Sequence, residues 1–370
     1  MITQLYIQGY KSIKYQIVPL RSINLLIGGN GVGKSNFISV FSLLRAIYEG
    51  NLGSYVLKKG GADNLLFFGK KETEEIAVTV EFGDEEGGGY NRFTTKLGLA
   101  QDELYIIETS TSFGRPDNWY PEKMYWTDRI YETNKKESNF RNIHHGQAFW
   151  VNDRLKEFQV YHFHDTSDSS PIKSPSAVDD TLALRKDGSN IAAFLLHLKN
   201  RHFKHYLRIQ KMIQAIAPFF GEFVLNPTTA PSPQVKLAWK EKGNYDKYFD
   251  AYSLSDGTLR FICLATLLMQ PNPPETIIID EPELGLHPIA IKKLASLMEL
   301  ASSKTQLIVS TQSVDLLNEF EAEDIIVTDR MENATVFKRL EEEELEAWIE
   351  EYTMGEIWQK NIIGGQPFNL

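Results

Sequence analysis

The sequence is poor in the features of secreted, membrane-spanning or fibrous proteins. Its 370 residues include one cysteine, Cys263, so no internal disulfide can form and a reducing compartment is expected. No apolar run approaches the roughly 20 residues that span a bilayer, so no membrane association is expected. Tandem repeats and heptad arrays are missing, which leaves no basis for a solenoid or a long coiled-coil arm. The first nine residues have neither a basic stretch nor the apolar core of an export signal. A soluble, cytoplasmic protein is the expectation. A basic excess is also lacking: Lys and Arg total 39 against 49 Asp and Glu, a net charge of −10. A chain that coats nucleic acid over its whole surface is thereby disfavoured, although a local basic patch is not.

Apolar residues make up 42% and charged residues 24%, enough for a buried core and inconsistent with wholesale disorder. Short strands are expected over residues 3–7, 16–20 and 23–27, and a helix over 34–47 with Phe37, Val40, Phe41, Leu44 and Ile47 on one side. A β-like pattern follows at 76–82, 92–97 and 104–108, with a hairpin loop at 84–89, and residues 116–146 look loop-rich. A helix is expected over 191–217, a strand over 235–239 and a helix over 257–269. The closing third alternates: strands at 276–279, 306–310, 324–328 and 335–338, and helices at 288–302, 314–320 and 341–352. Alternation near both ends predicts an α/β fold with a parallel sheet assembled from distant segments.

Gly28-x-x-x-x-Gly33-Lys34-Ser35 satisfies the phosphate-loop pattern and lies between an expected strand and an expected helix. Phosphate oxygens need several converging backbone N–H donors, and a glycine-rich loop lets the chain come that close. The candidate cradle comprises Gly28, Asn30, Gly31, Gly33, Lys34, Ser35 and Asn36. Lys34 would reach the terminal phosphates of ATP, and the Ser35 hydroxyl would ligate Mg²⁺. The apolar strand 276–279 delivers Asp280 and Glu281 to the edge of a sheet. Asp280 would hold Mg²⁺, and Glu281 would orient or deprotonate the attacking water.

Further segments resemble the ABC-type ATPases. Leu254-Ser255-Asp256-Gly257-Thr258 is similar to the ABC signature LSGGQ, with Asp256 for the first glycine and Thr258 for the glutamine. Ser255, Gly257 and Thr258 at a helix start form an anion-binding end. In the family that end binds the γ-phosphate held by a second protomer. Residues 280–288, DEPELGLHP, look like the Walker B and D-loop of RecF-, SMC- and OLD-type ATPases. Ser310-Thr311-Gln312-Ser313 sits where the ABC switch histidine would be, which makes Gln312 the third catalytic candidate beside Glu281 and Lys34. Tyr10-Lys11-Ser12-Ile13 and Gly355-Glu356-Ile357-Trp358 extend the likeness to most of the chain.

The resemblance implies an ABC/SMC-head-like P-loop NTPase with a parallel core sheet, an N-terminal antiparallel β-subdomain and an inserted helical subdomain. On this reading residues 1–113 form an N-terminal ATPase lobe, 114–250 an insertion with loop-rich and helical parts, and 251–370 a C-terminal lobe with the signature, Walker B and switch motifs. It implies ATP-dependent homodimerisation, with hydrolysis releasing the dimer. Glutamine cannot carry a histidine's proton, so slow or partner-stimulated turnover is expected.

Two roles follow from the resemblance. One is a switch ATPase in DNA repair or maintenance. The other is a regulatory ATPase of an anti-phage or toxin–antitoxin module that controls a separate effector nuclease. OLD-type proteins carry a nuclease domain after the ATPase, and about 40 residues follow Thr328 here. Any nuclease is therefore expected on another chain.

No Asp or Glu occurs between Asp187 and Glu222, and Arg201, Lys204, Arg208 and Lys211 fall at helical spacing with His205 beside them. That stripe would contact DNA or an acidic partner, or be a solvated helix face. His162 and His164 share one face of a strand end and are read as structural or subunit contacts, with a metal as the alternative. Tyr10 is read as a core or surface residue, with adenine stacking as the alternative.

Overall fold

The computed structural model describes residues 1–83, 89–116 and 124–366. Strands Ile2–Tyr10 (β1) and Ile13–Pro19 (β2) form a hairpin that pairs Gln4 with Pro19 and Tyr10 with Ile13. Ile23–Ile27 (β3) is buried at all five positions, as a strand covered on both faces must be. A glycine-rich loop leads into helix Lys34–Tyr48 (α1), followed by Leu52–Lys58 (α2). Strands Glu75–Gly83 (β4), Tyr90–Ala100 (β5), Glu103–Pro116 (β6) and Met124–Lys135 (β7) form a meander. With the first hairpin they build a six-stranded antiparallel sheet of order β2-β1-β4-β5-β6-β7.

The segment 116–146, expected to be loop-rich, instead contains β7 and a 3-10 turn at Phe140–Asn142. As an edge strand β7 is exposed along most of its length, so its sequence lacks the apolar alternation that marks a half-buried strand. The hairpin loop expected at 84–89 lies, for residues 84–88, outside the described residues.

Helix Gln147–Leu155 (α3) and strand Phe158–Tyr161 (β8) carry the chain to a second sheet. Next come Ser176–Ala177 (β9), helices Ile191–Arg201 (α4) and Phe203–Ile216 (α5), and strands Phe220–Val224 (β10), Gln234–Val235 (β11), Ala238–Glu241 (β12) and Asn244–Asp250 (β13). β9 pairs with β11, and β10, β12 and β13 form a small antiparallel sheet. The single helix expected over 191–217 is broken at His202. The helix before the break is buried on nearly every face, whereas α5 buries only Tyr206, Ile209 and Ile213. One straight axis cannot serve both environments.

The last third runs Asp256–Met269 (α6), Thr276–Asp280 (β14), Pro288–Ser302 (α7), Gln306–Ser310 (β15), Val314–Leu317 (α8), Ile325–Met331 (β16), Ala334–Arg339 (β17), Glu342–Ile349 (α9) and Met354–Gln359 (α10). The second sheet has the order β17-β16-β3-β15-β14-β8 and is parallel except for β17. Alternate residues face opposite layers. Leu26, Ile278, Ile308 and Ile326 join the core around α1 and the antiparallel sheet. Leu25, Ile277, Ile279, Leu307 and Val309 face the core that contains α4, α6 and α7. Parallel strands end on the same side, so the loops after β3, β14, β15 and β8 open on one edge. Among the described residues, no helix is long and apolar enough to cross a membrane.

Candidate functional site

The glycine-rich loop joins the end of β3 to α1. Gly33 has φ 121°, and a Cβ there would lie 2.2 Å from Thr335 Oγ1, so a larger residue would displace the loop. The same hydroxyl donates to the Val32 carbonyl at 2.6 Å and ties β17 to the loop. Asn30, Gly31 and Ser35 are exposed, whereas Lys34 is only 5% exposed. Its ammonium donates to the carbonyls of Gly28 at 2.5 Å and Gly29 at 3.0 Å. Burial lowers the Lys34 pKa, and the nearby charges of Glu281, Asp280 and Glu283 oppose that shift.

Asn36, a candidate cradle residue, turns its amide to Ser12 Oγ at 2.7 Å and braces the loop from behind. Tyr10 is fully buried with its hydroxyl 2.9 Å from Ser39 Oγ, which favours the core role over adenine stacking. The Gly29 N–H donates to the Gly365 carbonyl at 2.6 Å, so a segment far along the chain lies against the loop.

The acids arrive on the neighbouring strands. β15 lies between β3 and β14, and its Ser310 is in register with both Leu26 and Asp280. Ser310 Oγ donates to the Asp280 carboxylate. Glu281 adopts φ 43°, an uncommon conformation for a residue with a side chain, and its N–H donates to the Ser310 carbonyl at 2.9 Å. Its carboxylate accepts from the Gln312 side-chain amide. Lys34, Asp280, Glu281 and Gln312, far apart in sequence, are thus collected at one sheet edge.

Glu283 is a residue to which the sequence reading gave no role. It is 9% exposed, and Oε1 accepts the Thr311 hydroxyl at 2.6 Å and the Gln312 N–H at 3.1 Å. Its other oxygen has no partner among the described residues. Burial raises its pKa, and the Glu281 charge adds to that shift. The available signal was a third acid in DEPE, but its task depends on the pairing of β14 with β15. Each buried donor left unpaired costs roughly 1–3 kcal/mol. Glu283→Ala should therefore lose about 2–4 kcal/mol of stability in urea titration, and Glu283→Gln less, because it keeps an acceptor. Coincident midpoints for Glu283→Ala and the native protein would contradict this role.

Ser255 caps α6: its Oγ accepts the Thr258 N–H at 3.2 Å and lies 2.8 Å from the Thr258 hydroxyl. A Cβ on Gly257 would lie 2.4 Å from the Gly285 carbonyl, so the helix start presses against the loop that follows Glu281. The side-chain hydrogen bonds of Ser255 and Thr258 thus stay local, and none reaches the glycine-rich loop of the same chain.

β8 pairs Tyr161 with Ile279, which brings the next residue, His162, beside Asp280. His162 is exposed at its surface, and partial desolvation of the ring lowers its pKa, with Asp280 opposing. Arg260 fixes this segment by donating to the carbonyls of Phe163 at 3.0 Å and His164 at 2.9 Å. Among the described residues no group of three or more His, Cys, Asp or Glu could hold a metal ion, and the His162 and His164 rings lie with centroids 6.3 Å apart.

Arg201 ends α4, whereas Lys204, Arg208 and Lys211 are exposed on α5, so the expected stripe crosses a helix break. The rings of His197, His202 and His205 cluster there, with neighbouring centroids 5.7 and 6.2 Å apart. Burial lowers the His205 pKa, followed by the nearby charges of Arg208 and His202.

The protein family described as "AAA domain, putative AbiEii toxin, Type IV TA system" matches residues 23–318. The chain is similar to the "Old nuclease" of Escherichia phage P2, at 39% identity over 92% of this chain and 61% of that protein. It is also similar to the "Putative ABC transporter ATP-binding protein MG303" of Mycoplasma genitalium, at 28% identity over 30% of this chain and 33% of the relative. The chain thus spans less than two thirds of either curated relative. A solved SMC head bound to the C-winged helix domain of ScpA superimposes with a TM-score of 0.59 at 17% identity, covering 94% of this chain and 99% of that one. That likeness establishes an SMC-head-like fold.

Proposed function

The chain belongs to this AAA-domain family of OLD- and ABC/SMC-like ATPases, and from that premise we propose that it is an ATP-driven switch that closes as a dimer around the nucleotide. The observation that carries the proposal is the buried Lys34 within reach of the charges of Asp280, Glu281 and Glu283. The bonds from Lys34 to the Gly28 and Gly29 carbonyls are those that phosphate oxygens would replace. The Ser35 hydroxyl and Asp280 carboxylate are hard oxygen donors suited to Mg²⁺, which would neutralise charge on the β- and γ-phosphates.

Lys34 and the loop N–H groups bind and orient the phosphates. Glu281, held by the Ser310 carbonyl and the Gln312 amide, accepts the proton of the attacking water. Gln312 positions Glu281 without carrying a proton, which favours slow or partner-stimulated turnover. Ser255, Gly257 and Thr258 serve the γ-phosphate of a second copy. Support for this comes from their placement on a helix start against the loop after Glu281, with side-chain bonds that do not reach their own chain's glycine-rich loop.

DNA is the proposed cue. Arg201, Lys204, Arg208 and Lys211 form a cationic surface around the histidine cluster, on a chain whose net charge is −10. Duplex DNA should raise ATPase turnover at low salt, and Arg201→Glu with Arg208→Glu should remove the stimulation while basal turnover persists. No DNA binding at low salt would remove this role. A second reading is a regulatory ATPase of an anti-phage or toxin–antitoxin module. It is favoured by the family description and by the likeness to a phage nuclease, and would place the effector on a separate chain. Co-purification of a nuclease or toxin with the native complex would favour that reading.

A further inference from the structure

A second cavity lies away from the glycine-rich loop, between the far end of the antiparallel sheet and the start of α3. Its volume is about 920 Å³, within the range of sites that enclose small organic ligands. Arg115 from β6, Arg129 from β7 and Arg154 from α3 line it, with the rings of Phe113 and Trp150. Asp128 is the one carboxylate among the described lining residues.

The wall is held in shape. Gln147 accepts the Thr111 hydroxyl at 2.7 Å and donates to the Thr127 carbonyl at 2.9 Å, which clamps the first turn of α3 to β6 and β7. The Ala148 N–H donates to the Tyr131 hydroxyl at 3.1 Å. The guanidinium of Arg115 lies over the Phe113 ring at 5.0 Å and that of Arg129 over Tyr131 at 5.6 Å, while Arg154 pairs with Glu275 at 2.7 Å. Trp150 stands on this clamped helix yet is 66% exposed. Its ring meets Phe149 edge-on with centroids 5.7 Å apart, and most of the indole stays open on the cavity that the three guanidinium groups also line. It offers a stacking surface next to anion-binding groups.

We infer that this cavity is a second binding site, for a nucleobase carrying phosphate, with the base against Trp150 and Phe113 and the phosphate on Arg115 and Arg129. Guanidinium groups bind phosphate in a bidentate fashion, aromatic rings stack on any base, and Asp128 can accept from a base amino group. The same chemistry is presented by a free nucleotide or by a single-stranded nucleic-acid segment. The site shares no residue with the ATP site, so it stands or falls independently of it.

Photo-crosslinking tests this directly, with a short oligodeoxynucleotide that carries 5-iododeoxyuridine, on full-length protein with the Lys34→Ala substitution. The crosslink should map to peptides containing Phe113 or Trp150. Trp150→Ala and Arg115→Ala should each weaken oligonucleotide binding by about tenfold. Arg115→Lys, which keeps the charge, should lose less and guards against a folding defect. Competition by AMP would identify a free nucleotide as sufficient, and failure of AMP to compete would identify the strand; either result upholds the site. Crosslinks that map only elsewhere, or unchanged affinity in both alanine variants, would overturn the inference.

Discussion

Lys34→Ala should reduce ATP affinity about a hundredfold or more in a titration with a fluorescent ATP analogue, while the protein stays folded. The expectation rests on what the ammonium touches. Lys34 is buried at the end of a loop whose carbonyls it already engages, and three carboxylates lie within electrostatic range. A triphosphate placed there without the lysine meets Asp280 and Glu281 with one cation fewer to offset the repulsion. Lys34→Arg should also bind poorly, because the 5% exposed position leaves little room for a branched, planar head. Native affinity in Lys34→Ala would remove the phosphate-site assignment.

Glu281→Gln should retain ATP binding, lose about a hundredfold or more in hydrolysis, and accumulate as a dimer when ATP is present. The substitution preserves shape and leaves an oxygen for the Gln312 amide, so the strained backbone at φ 43° should persist. What disappears is the proton acceptor. If two copies close around ATP, a form that cannot hydrolyse it remains closed, and light scattering should report twice the chain mass. A variant that turns over at the native rate would exclude Glu281 as the base. One that stays monomeric at high protein and ATP concentrations would exclude the two-copy arrangement.

Much of this was legible in the sequence because phosphate binding is local. Gly28, Gly33, Lys34 and Ser35 must be close in sequence to form one cradle, and a buried apolar strand must deliver Asp280. Strand β3 spans residues 23–27 as expected from its apolar run. The positions that sequence could not supply depend on register. Glu283 gains its role because β14 lies beside β15 and sets it under Thr311 and Gln312. His162 reaches Asp280 only because β8 takes the outer place beside β14.

Edge strand β7 was hidden by its exposure, and the break at His202 by unbroken helical spacing through residues 191–217. Neither glycine nor proline marks that break; the helices turn there because α5 buries one face and its predecessor several. The hydrogen bond from Gly29 to Gly365 joins residues too distant for any periodicity to connect.

Calorimetric titration of the native protein with ATP and Mg²⁺ addresses the phosphate site itself, before any question of partner or cue. Saturable heat with one nucleotide per chain is the predicted result. A flat trace up to millimolar ATP would mean that Lys34, Ser35 and Asp280 do not form a nucleotide site.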